Sequence, residues 1–196
     1  MEPQDCIDLT DALIASRQHV GPKALAAPGP DAPVLDALFR AAAAAPDHNR
    51  LRPWRFLVLG PAARARLADV FEAALRERDP LAAAADCERA REKAFRAPVL
   101  LLALADLRAD DPAVTPAERY VSLGCAIQNL LLAAAARGFA CGLSSGRALQ
   151  SQALRRAYEL ADGEEAVCFI SIGTAQRRKP QRARPEPASF VRWIIE

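Results

Sequence analysis

With 196 residues, 52% of them hydrophobic and 26% charged, the chain is the size of one ordinary domain and carries enough apolar material to bury a core, which excludes disorder. Twenty-six basic against 24 acidic residues leave a net charge of +2, too balanced for a dedicated nucleic-acid binder. The 44 alanines predict closely packed helices, and the 23 arginines beside three lysines read as a GC-rich coding bias more than as a selected arginine surface.

In chain order, residues 9–17 predict a short helix that Asp8 or Thr10 can cap, and a Gly/Pro-punctuated linker follows through Gly21, Pro22, Pro28, Gly29 and Pro30. Asp31 offers an N-cap to a second helix over 33–44, whose Val34, Leu35, Leu38 and Phe39 share one apolar face before Pro46 ends it. Aromatic and branched residues over 54–59, stopped by Gly60 and Pro61, predict a strand. Helices are expected over 62–77 and 81–95, split by Pro80, and the continuous apolar run 97–104 reads as a buried strand.

The longest helix is expected over 116–137, apolar nearly all round and therefore buried on most sides, with Gly138 as the residue that stops it. A short strand over 139–143, a helix over 148–160 and a strand over 166–172 complete the pattern, which is α+β with a small sheet between helices. After Gly173 the character changes to a proline-rich basic arm, 176–188, that ends in the apolar hook 190–195. Such an arm needs a surface to wrap around, and a partner subunit is the expected one.

Polar Ser122, Gln128 and Asn129 interrupt the longest apolar stretch, so no membrane span is expected. The start of the chain lacks a basic segment followed by an apolar one, and the five cysteines form no C-x-x-C pair. Reduced thiols in a cytoplasmic protein are the expectation.

Four constellations could carry chemistry. Gly142-Leu143-Ser144-Ser145-Gly146 spells G-x-S-x-G between a strand and a helix, the setting of a serine-hydrolase nucleophile. That chemistry needs a histidine after the serine. His19 and His48 both precede it, so the glycines suit instead a tight turn with exposed backbone N–H groups. Two histidines 29 apart, without paired cysteines, make no metal ligand set. The basic cluster Arg177, Arg178, Lys179, Arg182 and Arg184 is open to three readings. It could be a solvated tail, or a nucleic-acid arm without aromatic stacking. In the third reading Arg182 and Arg184, two apart in an extended segment, point the same way and grip a terminal phosphate. The polar loop 45–53, with His48 and arginines between a helix and a strand, looks ligand-facing.

Taken together these residues resemble a known family. Ser16-Arg17-Gln18-His19 is similar to the Ser-Arg-Arg-Ser/Thr opening of nitroreductase-family flavoproteins. Ala45-Pro46-Asp47-His48 through Arg52-Pro53-Trp54-Arg55-Phe56 resembles the Ala-Pro-Asp-His…Gln-Pro-Trp loop of their short bacterial branch. The segment 124–134 looks like their central helix, 138–146 like the strand and turn that follow, and Ile172-Gly173-Thr174 with the arginine-rich arm like their C-terminal end. The likeness runs from about residue 11 to residue 193 as a single domain, with the motifs in order.

The resemblance implies a mostly antiparallel sheet flanked by helices, in a homodimer whose C-terminal arms (177–196) are exchanged and which binds FMN at the subunit interface. It implies NAD(P)H as reductant and a small-molecule acceptor such as a nitroaromatic or quinone, in a ping-pong cycle, with no nucleic acid and no membrane involved. No acid–base side chain is needed, because the flavin carries the chemistry. By position, Arg17, Gln18 and His19 would meet the phosphate and ribityl end, within an N-terminal segment 1–20, and Arg182 and Arg184 would close on the phosphate. His48 would come from the other subunit. Leu143, Ser144 and Ser145 would lie along the isoalloxazine, backbone N–H groups toward its polar edge. The chain departs from the pattern at Gln18, His19, Arg52 and Leu143-Ser144, where relatives carry Arg, Ser/Thr, Gln and often Trp-Arg. The alternatives are an FMN-binding protein of the same fold without NAD(P)H turnover, a sensor or flavin carrier, and an arginine-arm module that binds nucleic acid or protein.

Overall fold

The apolar runs assemble into one five-stranded antiparallel sheet with helices on both faces, the expected α+β arrangement. The computed structural model describes residues 2–108, 111–177, 180 and 183–195. The strands are β1 (Leu25–Ala26), β2 (Trp54–Val58), β3 (Val99–Asp106), β4 (Ala140–Ser144) and β5 (Glu164–Ala175). The helices are α1 (Pro3–Ser16), α2 (Ala32–Ala43), α3 (Pro61–Arg78), α4 (Ala84–Arg91), α5 (Pro116–Ala136) and α6 (Gln152–Ala157). Strand β5 is the spine. It pairs with β3, which in turn pairs with β2, and also with β4 and with β1.

Strand alternation splits the core in two. Leu101, Ala103, Ala105, Ile170 and Ile172 face α2 and α5, while Leu100, Leu102, Leu104 and Phe169 face α3 and α6. Each of the fully buried leucines contributes roughly 1.5–3 kcal/mol. Local chemistry sets the helix starts. Asp31 accepts the Val34 N–H at 3.0 Å ahead of α2. The Thr115 hydroxyl accepts from Glu118 N at 3.4 Å while the Glu118 carboxylate accepts the Thr115 N–H at 2.8 Å, a reciprocal box that opens α5. Gly138, at φ +81°, closes α5 with a left-handed turn.

Several expectations change. α1 begins at Pro3, not residue 9, because Pro3 suits a first turn and the Asp5 carboxylate accepts the Glu2 N–H at 3.3 Å. The helix expected over 81–95 is α4 followed by a 3-10 turn, Glu92–Phe95. That over 148–160 is a 3-10 turn, Arg147–Gln150, followed by the six-residue α6, because the Ser151 hydroxyl accepts the Leu154 N–H at 3.2 Å and starts a new helix. β1 was not expected at all.

α5 is buried on one face only, through Leu123, Ala126, Ile127, Leu130, Leu131 and Ala134. Ala117, Val121, Gly124 and Gln128, at helical spacing, form a bare stripe in the single chain. α1 buries no residue, and Phe190, Trp193, Ile194 and Ile195 at the end of the arm are exposed. Among the described residues, no helix is long and apolar enough to cross a membrane.

Candidate functional site

The chain leaving α1 runs extended beside β4. His19 pairs in parallel with Cys141, and the Val20 N–H donates to the Cys141 carbonyl at 2.9 Å. This approach requires glycine at 142. A Cβ there would lie 2.1 Å from the Val20 carbonyl oxygen and 2.9 Å from its carbon. Arg17 and Gln18 line a cavity of about 200 Å³ with Leu131 and Ala135 of α5 and with Cys141, and His19 is exposed. Burial pushes the Cys141 thiol up to about 12, with the Arg17 guanidinium opposing it. The arm returns to the same place, where the Arg184 guanidinium donates to the Arg17 carbonyl at 3.1 Å. The structure therefore brings Arg17, Gln18, His19 and Arg184 together. Arg182 lies outside the described residues.

At the far end of β4, Leu143 and Ser144 point to opposite faces of the sheet, as their partners Ile170 and Phe169 do. Ser144, Ser145 and Gly146 line a second, partly open cavity of about 700 Å³ between the sheet and the α3–α4 layer. Its apolar side is Leu75, Leu100 and Phe169. Ser171 of β5, 1% exposed, also lines it. Leu143 is not part of this lining.

His48 lies elsewhere. Its Nδ1 sits 3.1 Å from Glu118 Oε1 at the start of α5. The loop around it holds left-handed backbone at Asn49 (φ 56°), Arg50 (φ 56°) and Arg52 (φ 47°). Asp47 accepting the Arg52 N–H at 2.6 Å and Asn49 donating to Asp111 at 2.8 Å pin that conformation, a rare set of torsions of the kind found where a ligand is clamped. Hydrogen bonds from the Thr115 N–H and hydroxyl, then His48, hold the Glu118 carboxyl down to about 2. Arg17 packs near Leu131 and Ala135 on the same helix. At 1.5 Å per residue, the rise from Glu118 to that level is about 20 Å. One chain does not bring His48 to Arg17.

Sequence reasoning missed the residues that brace this region. Arg119, 2% exposed, donates to the Val114, Asp106 and Asp111 carbonyls at 3.3, 3.3 and 3.2 Å and ties α5 to the end of β3. Arg64 donates to the carbonyls of Leu59, Ala97 and Pro98 at 2.9, 2.6 and 2.9 Å, and burial lowers its pKa. Arg55 grips Glu164 through two bonds of 2.7 and 2.6 Å. It also missed the cations around the larger cavity and Ser171, for which the one available signal was a lone hydroxyl within an apolar strand. No group of His, Cys, Asp and Glu suited to a metal occurs among the described residues.

Residues 22–174 match the family profile described as Nitroreductase family. A protein of Escherichia coli (strain K12), provisionally named NAD(P)H nitroreductase YdjA, is 31% identical over 174 residues, which cover 87% of this chain and 92% of that protein. A provisionally named NAD(P)H nitroreductase of Haemophilus influenzae is 32% identical over 185 residues, 94% of this chain and all of that one. Among solved structures, a nitroreductase-like family protein from Bacillus cereus superposes with a TM-score of 0.80 at 20% identity, covering 94% of this chain and 95% of that one. The FMN-dependent nitroreductase NfnB from Mycobacterium smegmatis, solved in complex with NADPH, does so with a TM-score of 0.73 at 20% identity, covering 97% of this chain and all of that one.

Proposed function

The chain belongs to the nitroreductase family, and on that premise we propose that it is a homodimeric FMN-dependent oxidoreductase that passes electrons from NAD(P)H to small aromatic acceptors such as nitroaromatics or quinones in a ping-pong cycle. The observation that carries the reading is the convergence of Arg17 and Arg184 beside β4, two of the three arginines that the family likeness assigns to the FMN phosphate. The residues present fit the group. Two guanidinium-bearing residues from separate segments suit a phosphate. The turn at the end of β4, exposed at Ser145 and Gly146, suits the polar edge of a planar ring.

FMN bound there would supply the two-electron redox chemistry. The protein binds and orients. Arg17 and Arg184, with Arg182, would hold the phosphate. Gln18 and His19 would border the ribityl chain. The backbone N–H groups at Leu143, Ser144 and Ser145 would meet the ring's polar edge.

Two copies complete the site. His48 stands about 20 Å along α5 from Arg17, so it would reach a flavin held by the other chain. The bare stripe through Val121 and Gly124, the unburied α1 and the exposed hook at Trp193 supply apolar surface for that partner.

The test begins with colour and ends with turnover. The purified protein is expected to be yellow, and NADH or NADPH is expected to bleach it under argon, with an added quinone restoring the colour. Colourless protein that takes up no FMN would refute the assignment. A yellow protein that neither nicotinamide bleaches would instead be a flavin carrier or sensor.

A further inference from the structure

The cavity beside the Ser144–Gly146 turn has a charge that the binding of a neutral aromatic does not require. Lys23, Arg78, Lys93, Arg96 and Arg147 line it, and none of the five is paired with a carboxylate among the described residues. Of the two acids in the lining, Asp86 is already bonded to Arg89, and Asp79 accepts the Leu81 N–H at 3.2 Å. The excess is local, because the whole chain carries only +2.

Cations in a concave site with low-dielectric walls raise the local concentration of an anion by focusing the field. The other wall is apolar, through Leu75, Leu100 and Phe169, with Ser171 of β5 beside them. A volume of about 700 Å³ is that of a small-molecule site, too small for a macromolecule.

We propose that this cavity is the acceptor's site and that it selects planar aromatic acceptors bearing a carboxylate or sulfonate, the ring against Leu100 and Phe169 and the anion toward Lys93, Arg96 and Arg147. The proposal rests on the oxidoreductase reading above and adds the charge class of the substrate.

The experiment compares 4-nitrobenzoate with 4-nitrobenzamide, nearly isosteric acceptors that differ in charge, using the FMN-loaded protein and NADH, which lacks a 2′-phosphate. Several exposed cations acting together should lower KM for the benzoate by about tenfold at low salt, and the advantage should shrink as ionic strength rises past about 0.1 M. The charge-reversing pair Lys93→Glu and Arg96→Glu should cancel or invert the KM ratio. If that pair fails to fold, Arg147→Gln should reduce the ratio two- to fivefold.

Equal KM values for the two acceptors, or a ratio indifferent to salt, would overturn the proposal. So would variants that lose their FMN, since the cations would then hold the flavin, or variants that change only the KM for NADPH, since they would then read its 2′-phosphate. A protein that reduces neither acceptor fails as an oxidoreductase of these compounds. Calorimetric binding of 4-nitrobenzoate but not 4-nitrobenzamide to the oxidised protein then still decides whether the cavity takes the anion.

Discussion

Replacing Gly142 by alanine tests whether the N-terminal motif must lie against β4 for the flavin site to exist. The new methyl would sit 2.1 Å from the Val20 carbonyl oxygen and 3.3 Å from His19 Cε1. A tolerable contact begins near 3 Å, so the backbone at Val20 must retreat by about 1 Å, and no flexible side chain can absorb that. Retreat stretches the 2.9 Å bond from the Val20 N–H to the Cys141 carbonyl and shifts Arg17 and His19 away from β4. Overpacking of this kind costs about 1–3 kcal/mol, and in a domain of this size each kcal/mol lowers Tm by about 2–4 °C.

The control is Gly146→Ala, where nothing lies within 4 Å of the added methyl. We expect Gly142→Ala to melt several degrees lower and to bind FMN at least tenfold more weakly, with Gly146→Ala close to the parent in melting temperature. Thermal melts followed by circular dichroism and FMN titrations by fluorescence quenching read both effects. A Gly142→Ala protein that matches Gly146→Ala in Tm and in FMN affinity would refute the reasoning.

Arg184→Ala should weaken FMN by about ten- to a hundredfold, the loss of one charge-assisted bond of roughly 1.5–3 kcal/mol, while riboflavin, without a phosphate, binds parent and variant alike in the same titration. Val121→Glu places a charge on the bare stripe of α5. Sedimentation velocity should show it as monomer where the parent is a dimer, and a parent that sediments as monomer at micromolar concentration would dismiss the two-copy site. Ending the chain at Gln176 should likewise cost the dimer or its flavin, which size exclusion with absorbance at the flavin band would register. Burial raises the Cys141 thiol to about 12 and the Cys168 thiol to about 11. Their protonated forms therefore support the fold fully below the ordinary value near 9, and that contribution is lost as pH climbs from there through the raised values. Denaturant melts at pH 8 and pH 10.5 should show the loss. Cys141→Ala, which removes one of the two thiols, should show less of it.

Interactions within a few residues of one another were legible in the sequence. The aromatic and branched run at 54–58, the apolar run at 99–105 and the one at 166–172 are strands because alternate residues bury on two faces. α2 starts at Asp31, and α5 ends at Gly138, for reasons contained in one helical turn. The family likeness was legible too, because it survives in short strings such as those around Arg17 and Leu143–Ser145. Tertiary structure alone decided the rest. β1 is two residues long and carries no pattern, and it exists because Ala175 and Thr174 of β5 arrive beside it. The burial of α5 on one face only, the carbonyl cage around Arg119 and the distance of His48 from Arg17 depend on which segments meet across the fold. The cationic cavity draws Lys23, Arg78, Lys93 and Arg147 from four separate stretches. Each looks like an ordinary surface charge in its own stretch, because a field in a cleft is a sum over space and chain order does not carry it.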